Sequence, residues 1–411
     1  MPTTTPATTH TTHTTPDCVL TSVYGERILA RLPLRRDEHL RAWDAADELI
    51  IDYFFETVTA NNPLPDATGE QQCPANDDRM LLVNDNFGAL ACALNHYSPD
   101  LWSDSVTARE SCGYNTEHNQ LKPVAFINSI EQPPGYYRYV LIKLPKNNAL
   151  LEQQLITLKM CIDSDTQVIA AGMTKHIQSA QFALFEKYLG TTTTSLAKKK
   201  ARLLLVKPST ALLQESTENP YPSYYSEPSL DLTLGNHANV FSRRNLDIGS
   251  RFMIEQYNQL PRSESIVDLG CGNGVLGLVA KQRQLAMFEL NTTLHFVDES
   301  YMAIDSSADN YAQLFSDECA QFHPSISLQA LGLADIDLIL CNPPFHQQHT
   351  IGDHIAWSMF QHSRTALRKG GVLWVIGNRH MNYHAKLKKV FNNCQTIASN
   401  KKFIVLAAVN R

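Results

Sequence analysis

The residues best suited to chemistry are Asn342, Pro343, Pro344 and Phe345, which follow a short apolar run at 338–341. The run predicts a buried strand, and the prolines end it because neither has an N–H and each fixes its own φ. The Asn342 amide oxygen and a backbone carbonyl freed by the turn can accept the two hydrogens of an amine, while Phe345 can stack on a flat ring. The pattern favours reaction at the exocyclic amine of a nucleobase, although an ordinary tight turn has the same composition.

A second stretch, 266–277, predicts a strand, a glycine-rich turn and a helix. Glycines let the backbone approach a ligand closely, and the start of the helix offers unpaired N–H groups. Gly272 and Gly277 fit the dinucleotide-binding pattern, and Asp298 could accept ribose hydroxyls, so a dehydrogenase remains an alternative. The predicted cofactor-binding residues are Asp268, Gly270, Cys271, Gly272, Asn273, Gly274, Asp298 and Asn342.

Two features favour S-adenosylmethionine over a nicotinamide cofactor. Asp268 lies two residues before Gly270, where a carboxylate suits the ammonium group of the methionine part and suits a pyrophosphate poorly. The Asn-Pro-Pro-Phe stretch that begins at Asn342 has no role in hydride transfer. We therefore predict a methyl donor, with Asn342, Pro343, Pro344 and Phe345 as the catalytic loop.

Composition limits the class of protein. The chain has 411 residues, of which 43% are hydrophobic and 18% charged, and this indicates a globular protein with two domains. It has no apolar run long enough to cross a membrane and no secretory signal pattern, so we expect a cytoplasmic protein without a membrane partner. Its nine cysteines are scattered and never spaced Cys-x-x-Cys, which argues against zinc and disulfides. We expect no metal ion.

The order of the segments predicts two α/β domains. A Thr-rich tail at 1–16 is expected to be disordered, and 17–207 alternates helical and strand-like segments, which favours a mostly parallel sheet. The proline-rich stretch 208–235 is predicted to be a linker, and 236–411 to be the catalytic domain.

Weak internal similarity indicates that the chain arose by duplication. When Gly88 is aligned with Gly274, Leu82 lies opposite Asp268 and Asn84 lies opposite Gly270. A second alignment sets Leu144 opposite Asn342. The first domain is therefore predicted to have kept the fold and lost both the cofactor loop and the amine acceptor.

The motifs resemble those of a known family. Asp-Leu-Gly-Cys-Gly-Asn-Gly at 268–274 together with Asn-Pro-Pro-Phe-His at 342–346 resembles the class I S-adenosylmethionine-dependent N-methyltransferases. With the segment 237–249, the set is similar to the ribosomal RNA guanine-N2 methyltransferases, and the residues at 342–349 and 378–380 favour the large-subunit group.

The resemblance implies two tandem Rossmann-like domains with mostly parallel sheets, the first serving RNA recognition. It implies methyl transfer to the exocyclic N2 of a guanine in 23S ribosomal RNA. The alternatives are a guanine of small-subunit ribosomal RNA, an adenine N6, a protein glutamine, and a protein that binds RNA without catalysis.

Charge distribution agrees with an RNA partner. The net charge is −6, but 342–411 contains ten basic residues and one acid, an excess of nine positive charges. The predicted substrate-binding residues are Phe345, His346, Arg379, Lys386, Lys388 and Lys389. The expected partner is large-subunit ribosomal RNA, naked or in an assembling particle, bound by a monomer.

Overall fold

The computed structural model describes residues 18–35, 38–59, 79–316, 318–344 and 349–411. The Thr-rich tail, Phe345 and His346 lie outside the described residues, so the predictions about them stay predictions. No helix within the described residues is both long and apolar enough to cross a membrane. None of the eight cysteines in these segments forms a disulfide.

The first domain is a seven-stranded sheet with helices on both faces. An antiparallel hairpin precedes it, formed by β1 (Val19–Ser22) and β2 (Gly25–Ile28). The sheet strands are β3 (Met80–Val83), β4 (Asp100–Ser103), β5 (Ala125–Asn128), β6 (Tyr139–Lys143), β7 (Gln167–Met173), β8 (Gly190–Thr194) and β9 (Ala201–Pro208). The helices are α1 (Ala45–Phe54), with a π-helical turn at Phe55–Thr59, then α2 (Ala89–Ala93), α3 (Val106–His118), α4 (Asn148–Leu158), α5 (Ser179–Tyr188) and α6 (Thr210–Gln214). The strand order is β5-β4-β3-β6-β7-β9-β8.

The second domain repeats this plan after an antiparallel hairpin of β10 (Ser223–Glu227) and β11 (Leu232–Asn236). Its sheet strands are β12 (Ser265–Leu269), β13 (Thr293–Asp298), β14 (Ala320–Pro324), β15 (Ile336–Cys341), β16 (Leu367–Asn378), β17 (Gln395–Ser399) and β18 (Phe403–Val409). The helices are α7 (Ile248–Ile254), α8 (Val275–Phe288), α9 (Tyr301–Leu314), α10 (Leu328–Leu331), α11 (His349–Ala366) and α12 (Tyr383–Phe391). The order β14-β13-β12-β15-β16-β18-β17 matches that of the first sheet.

The apolar runs explain why these strands lie in the middle of the sheets. All four residues of β3 are buried, and so are the last four of β15. Strands that are buried on both faces are typical of parallel sheets covered by helices. Six strands of each sheet run in the same direction, and the seventh, β9 or β18, is antiparallel to both of its neighbours. The predicted α/β fold with two Rossmann-like sheets is confirmed.

The stretch 208–235 contains more regular structure than its prolines indicated. It includes α6 and most of the β10–β11 hairpin, in which Leu232 and Leu234 are buried. The prolines do not break the hairpin, because Pro222 precedes β10 and Pro228 lies in the turn between the strands. The limits of the four segments stay a prediction.

The strand pairing corrects one detail of the duplication. Leu269 pairs with Cys341 in the second sheet, and Val83 pairs with Ile142 in the first. If Asn84 takes the place of Gly270, the residue in the place of Asn342 is Lys143, one position before the predicted Leu144. The sequence alignment was wrong by one position here, because β6 and β15 resemble each other only in being apolar.

Candidate active site

The glycine-rich turn joins β12 to α8 at the carboxyl edge of the second sheet. Gly270, Gly272 and Gly274 have φ values of 75°, 55° and 82°, in the left-handed region that favours glycine. The Gly270 N–H donates to the Val297 carbonyl at 2.8 Å, which ties the turn to the neighbouring strand β13. Gly277 serves packing instead, since a Cβ there would lie 2.8 Å from the Phe296 ring. The predicted loop geometry is present.

Asp298 ends β13 and holds the turn from the side. One carboxylate oxygen accepts from the Gly272 N–H and the other from the Ser300 N–H, each at 3.0 Å. Burial raises the pKa of Asp298 to about 6. Each oxygen keeps a second lone pair, so the carboxylate can still accept from the hydroxyls of a ribose.

Asp268 is buried beneath the turn, 1% exposed. Its Oδ2 accepts from the Gly277 N–H at 2.8 Å, while its buried Oδ1 has no partner. Burial raises the pKa of Asp268 to about 8. A buried oxygen without a donor fits a ligand that brings a cationic N–H group, which an S-adenosylmethionine ammonium would supply.

The side chains of Cys271 and Asn273 are both buried. The Cys271 thiol is buried, and burial raises its pKa well above the ordinary value. The Asn273 Nδ2 donates to the Asn236 side-chain oxygen at 3.0 Å and to the Tyr225 hydroxyl at 3.3 Å. These partners belong to the β10–β11 hairpin, so that hairpin supports the cofactor loop. Cofactor binding by Cys271 and Asn273 stays a prediction.

Asn342 lies at the end of β15, directly beside the glycine-rich turn. A Cβ built on Gly270 would lie 3.7 Å from the Asn342 carbonyl oxygen, so the two motifs lie side by side. The Asn342 Nδ2 donates to the Ser250 hydroxyl at 3.1 Å, and its buried Oδ1 has no partner. Pro343 is buried and Pro344 half-buried. The amide is thus held with its acceptor oxygen available.

Ser250 was not predicted as a site residue, although the preceding segment 237–249 contributed to the family resemblance. It lies in α7, whose start is capped by the Asp247 carboxylate accepting from the Ser250 N–H at 2.9 Å. Gly249 lets the helix pack closely, since a Cβ there would be 3.0 Å from Asp247 Oδ2 and 3.3 Å from Phe403. Close packing of α7 on the sheet therefore places the Ser250 hydroxyl.

The basic residues of 342–411 do not form one surface. Arg379 follows β16 at the carboxyl edge, where its N–H donates to the Lys402 carbonyl at 3.0 Å. Lys401 and Lys402 are exposed at that edge and were not among the predicted substrate-binding residues. By contrast, Arg368 bonds Asp337 at the opposite edge.

The predicted lysines follow one another along α12. Lys386 lies near its start, whereas Lys388 and Lys389 lie in its last turn. The Lys389 ammonium is 5.3 Å from the centre of the Trp357 ring. Substrate binding by all four predicted cations stays a prediction.

The corresponding site of the first domain is filled by its own side chains. Asn84 has a φ of 61°, like Gly270, but its amide exchanges hydrogen bonds with Gln154 at 2.8 and 3.0 Å. The buried Lys143 ammonium contacts the carboxylates of Asp44 and Asp47 at 2.7 and 2.8 Å. These contacts explain how this domain can keep the fold without the glycine-rich turn.

One group of the described residues has the composition of a cation site. The ligand atoms of His237, Asp305 and Asp309 all lie within 4.8 Å of one another. His237 Nε2 is 2.7 Å from an Asp305 oxygen, so the pair is satisfied as a hydrogen bond. The expected absence of a metal stays a prediction.

A seven-stranded, mostly parallel sheet with a glycine-rich turn after β12, an acid ending β13 and an Asn-Pro-Pro loop after β15 defines a class I methyltransferase domain. Residues 231–407 match the family described as the methyltransferase small domain, and residues 19–210 match the RLMG N-terminal domain. The chain belongs to the ribosomal RNA large subunit methyltransferase G family, because relatives of that name are about 40% identical over nearly its whole length. The family resemblance seen in the motifs is confirmed.

Two of these relatives and one solved structure illustrate the match. The Aeromonas salmonicida protein is 41% identical over 96% of this chain and 99% of its own length. The Pseudomonas aeruginosa protein from strain UCBPP-PA14 is 42% identical over 94% and 98%. The T. thermophilus 16S rRNA N2 methyltransferase RsmC, solved with AdoMet and guanosine, has a TM-score of 0.70 and 20% identity, covering 96% of this chain and 97% of that one. Its likeness extends over both domains.

Proposed function

We propose that the chain transfers a methyl group from S-adenosylmethionine to the exocyclic N2 of a guanine in 23S ribosomal RNA. Relatives that match almost the whole chain are named ribosomal RNA large subunit methyltransferase G. The T. thermophilus RsmC structure, which has a similar fold, was solved with AdoMet and guanosine. The observation that carries the proposal is the Asn342 side chain, with its donor held by Ser250 and its acceptor without a partner beside the glycine-rich turn.

Different residues of the second domain would bind different parts of the cofactor. Asp298 would hold the ribose of the cofactor, Asp268 its ammonium group, and the backbone of Gly270–Gly274 would approach it closely. When bound, S-adenosylmethionine supplies an electrophilic methyl group on a sulfonium sulfur.

Asn342 orients the amine that receives the methyl group. Its Oδ1 accepts one N2–H, which directs the nitrogen lone pair away from the plane of the base. The new N–C bond forms as the S–C bond breaks, its electron pair stays on sulfur, and the N2 proton leaves to solvent. Asn342 Oδ1 stabilises the positive charge that develops on N2, so placement and not a strong base accounts for the rate.

Replacing Asn342 tests this proposal. Asn342→Ala removes the acceptor, and a hydrogen bond to a group that gains charge contributes about 1.5–3 kcal/mol, or roughly ten- to a hundredfold in kcat. Asn342→Asp keeps an oxygen and should lose less. S-adenosylmethionine affinity, measured by calorimetry, should stay unchanged in both variants, with one site per chain. Full turnover by Asn342→Ala would show that the loop is only a turn.

The product identifies the substrate. Radiolabelled methyl transfer should yield N2-methylguanosine in 23S ribosomal RNA, supplied naked and as large-subunit particles. Label in 16S ribosomal RNA, at adenine N6 or in protein glutamine would assign one of the alternative substrates instead.

Three finer points belong to the proposal. We propose that the chain acts as a monomer in the cytoplasm, needs no metal ion, and uses its first domain for RNA recognition. Light scattering of the purified chain and turnover in the presence of EDTA test the first two. The filled site around Asn84 and Lys143 supports a role other than catalysis for the first domain.

A further inference from the structure

The two domains meet through equivalent loops. Ser105 caps α3 just after β4, and Ser300 caps α9 just after β13. These two serines face each other in an antiparallel bridge. The Val106 N–H donates to the Glu299 carbonyl at 2.9 Å, and the Tyr301 N–H donates to the Asp104 carbonyl at 3.1 Å. Each loop therefore repeats the bonds of the other, as in a two-fold interface.

The side chains repeat the exchange unequally. The Ser105 hydroxyl donates to Glu299 at 2.8 Å, and the Ser300 hydroxyl donates to Asp104 at 2.6 Å. Glu299 is exposed, whereas Asp104 is 4% exposed. The buried half of the interface is therefore the half in which Ser300 of the second domain donates to Asp104 of the first.

Asp104 accepts four hydrogen bonds. Its Oδ1 accepts from the Ser129 hydroxyl at 2.5 Å and the Met302 N–H at 2.8 Å. Its Oδ2 accepts from Asn239 Nδ2 and the Ser300 hydroxyl, both at 2.6 Å. Three of the four donors belong to the second domain. Burial raises the pKa of Asp104, and these donors lower it.

The three donors lie in two segments that lead to the active site. Ser300 and Met302 follow Asp298, and the Ser300 N–H donates to Asp298 Oδ1 at 3.0 Å. Asn239 begins the segment that runs into α7, where Ser250 holds Asn342. The Asp298 carboxylate is therefore oriented through a residue whose hydroxyl is bound by the first domain.

We propose that Asp104 of the first domain is a positioning residue for the cofactor site of the second, so that the loop after β4 holds the equivalent loop after β13. This inference rests on the proposed use of S-adenosylmethionine. It predicts that the first domain raises cofactor affinity as well as contacting RNA. The energetic coupling passes from Asp104 through Ser300 to Asp298.

Asp104→Asn in the full chain tests the proposal. The amide keeps one acceptor oxygen and replaces the other by a donor, so it cannot satisfy all four donors in either orientation. We expect S-adenosylmethionine affinity to fall about five- to tenfold by calorimetry. RNA affinity and the pattern of methylated product should not change.

A matched pair separates positioning from general stability. Ser300→Ala and Ser105→Ala each remove a helix cap and one interdomain hydrogen bond. Of the two serines, only Ser300 is hydrogen-bonded to Asp298, through its backbone N–H. We expect weaker cofactor binding for Ser300→Ala and unchanged binding for Ser105→Ala. Because they share a pathway, the double variant Asp104→Asn/Ser300→Ala should bind no more weakly than Asp104→Asn alone.

Each outcome has one meaning. Normal affinity in both Asp104→Asn and Ser300→Ala would overturn the proposal, and so would equal losses in Ser300→Ala and Ser105→Ala. If Asp104→Asn does not fold, the cofactor affinities of Ser300→Ala and Ser105→Ala test the proposal instead. If the unaltered chain itself binds no S-adenosylmethionine, the proposed function fails instead.

Discussion

Asn342 depends on Ser250 to present the correct atom. An amide can turn by half a rotation and offer its donor in place of its acceptor, and in this structure the 3.1 Å bond from Nδ2 to the buried Ser250 hydroxyl holds the orientation in which Oδ1 is available. Ser250→Ala should lower kcat about two- to tenfold, since the hydrogen bond that orients Asn342 contributes about 0.5–1.5 kcal/mol. Steady-state kinetics should show unchanged cofactor affinity and no further loss when the change is added to Asn342→Ala. Additive losses would separate Ser250 from the orientation of Asn342.

Cofactor binding should depend on the protonation of Asp268. Burial raises its pKa to about 8, so in the free protein the group holds a proton near pH 6. An ammonium group binds the carboxylate more strongly than the neutral acid, so binding should release a proton and affinity should rise from pH 6 to about 8, until the ligand ammonium itself titrates. Calorimetry in two buffers of different ionisation enthalpy measures that proton, and Asp268→Asn should abolish its release. A pH-independent affinity would contradict the ammonium contact.

The raised pKa of Asp268 gives folding stability a pH dependence opposite to that of cofactor affinity. The folded, unliganded protein favours the protonated acid, so this group stabilises the fold at low pH. Its contribution declines as pH rises from the unfolded value near 4 towards 8. Bound cofactor would remove that decline, because the carboxylate would then be paired.

Within the element formed by the glycine-rich turn and α8, two glycines serve different purposes. A Cβ on Gly277 would lie 2.8 Å from the Phe296 ring, whereas a Cβ on Gly272 would meet no atom within 4 Å. Gly277→Ala should therefore lower the melting temperature of the domain by about 3–10 °C through overpacking. Gly272→Ala should cost only about 1–2 kcal/mol of left-handed strain and should mainly weaken cofactor binding. Calorimetric scans with and without S-adenosylmethionine distinguish the two, and the reverse pattern would reassign them.

Across the whole molecule, the direction of β16 divides the basic residues. Arg379 and Lys402 lie at the carboxyl edge with Asn342, while Lys369 and Arg411 lie at the opposite edge, where the Gly370 N–H bonds the Asn410 carbonyl at 2.6 Å. Removing Arg379 and Lys402 should weaken RNA binding and reduce the slope of log affinity against log salt by about one to two. Removing Lys369 and Arg411 lowers the charge equally and should have little effect. Filter binding at several salt concentrations compares the pairs, and equal losses would argue against a binding edge.

Much of the catalytic site could be predicted from the sequence because it depends on local chain geometry. Glycine is favoured where φ is positive, as at Gly270, Gly272 and Gly274, and two consecutive prolines cannot continue a central strand such as β15. Continuous apolar runs identify the buried strands β3 and β15 for the same local reason. The prolines also misled, since they concealed the β10–β11 hairpin that supports Asn273.

The fold, the glycine-rich turn and the end of β15 at Asn342 could be predicted from the sequence, because they follow from neighbouring residues. What lies beside them depends on how distant segments pack. Ser250 reaches Asn342 across 92 positions, and Asp104 reaches Ser300 across 196. Strand direction and pairing also decided that the basic residues separate to two edges and that Lys143 takes the place of Asn342. Such contacts depend on how distant segments pack, and no local pattern of residue types encodes them.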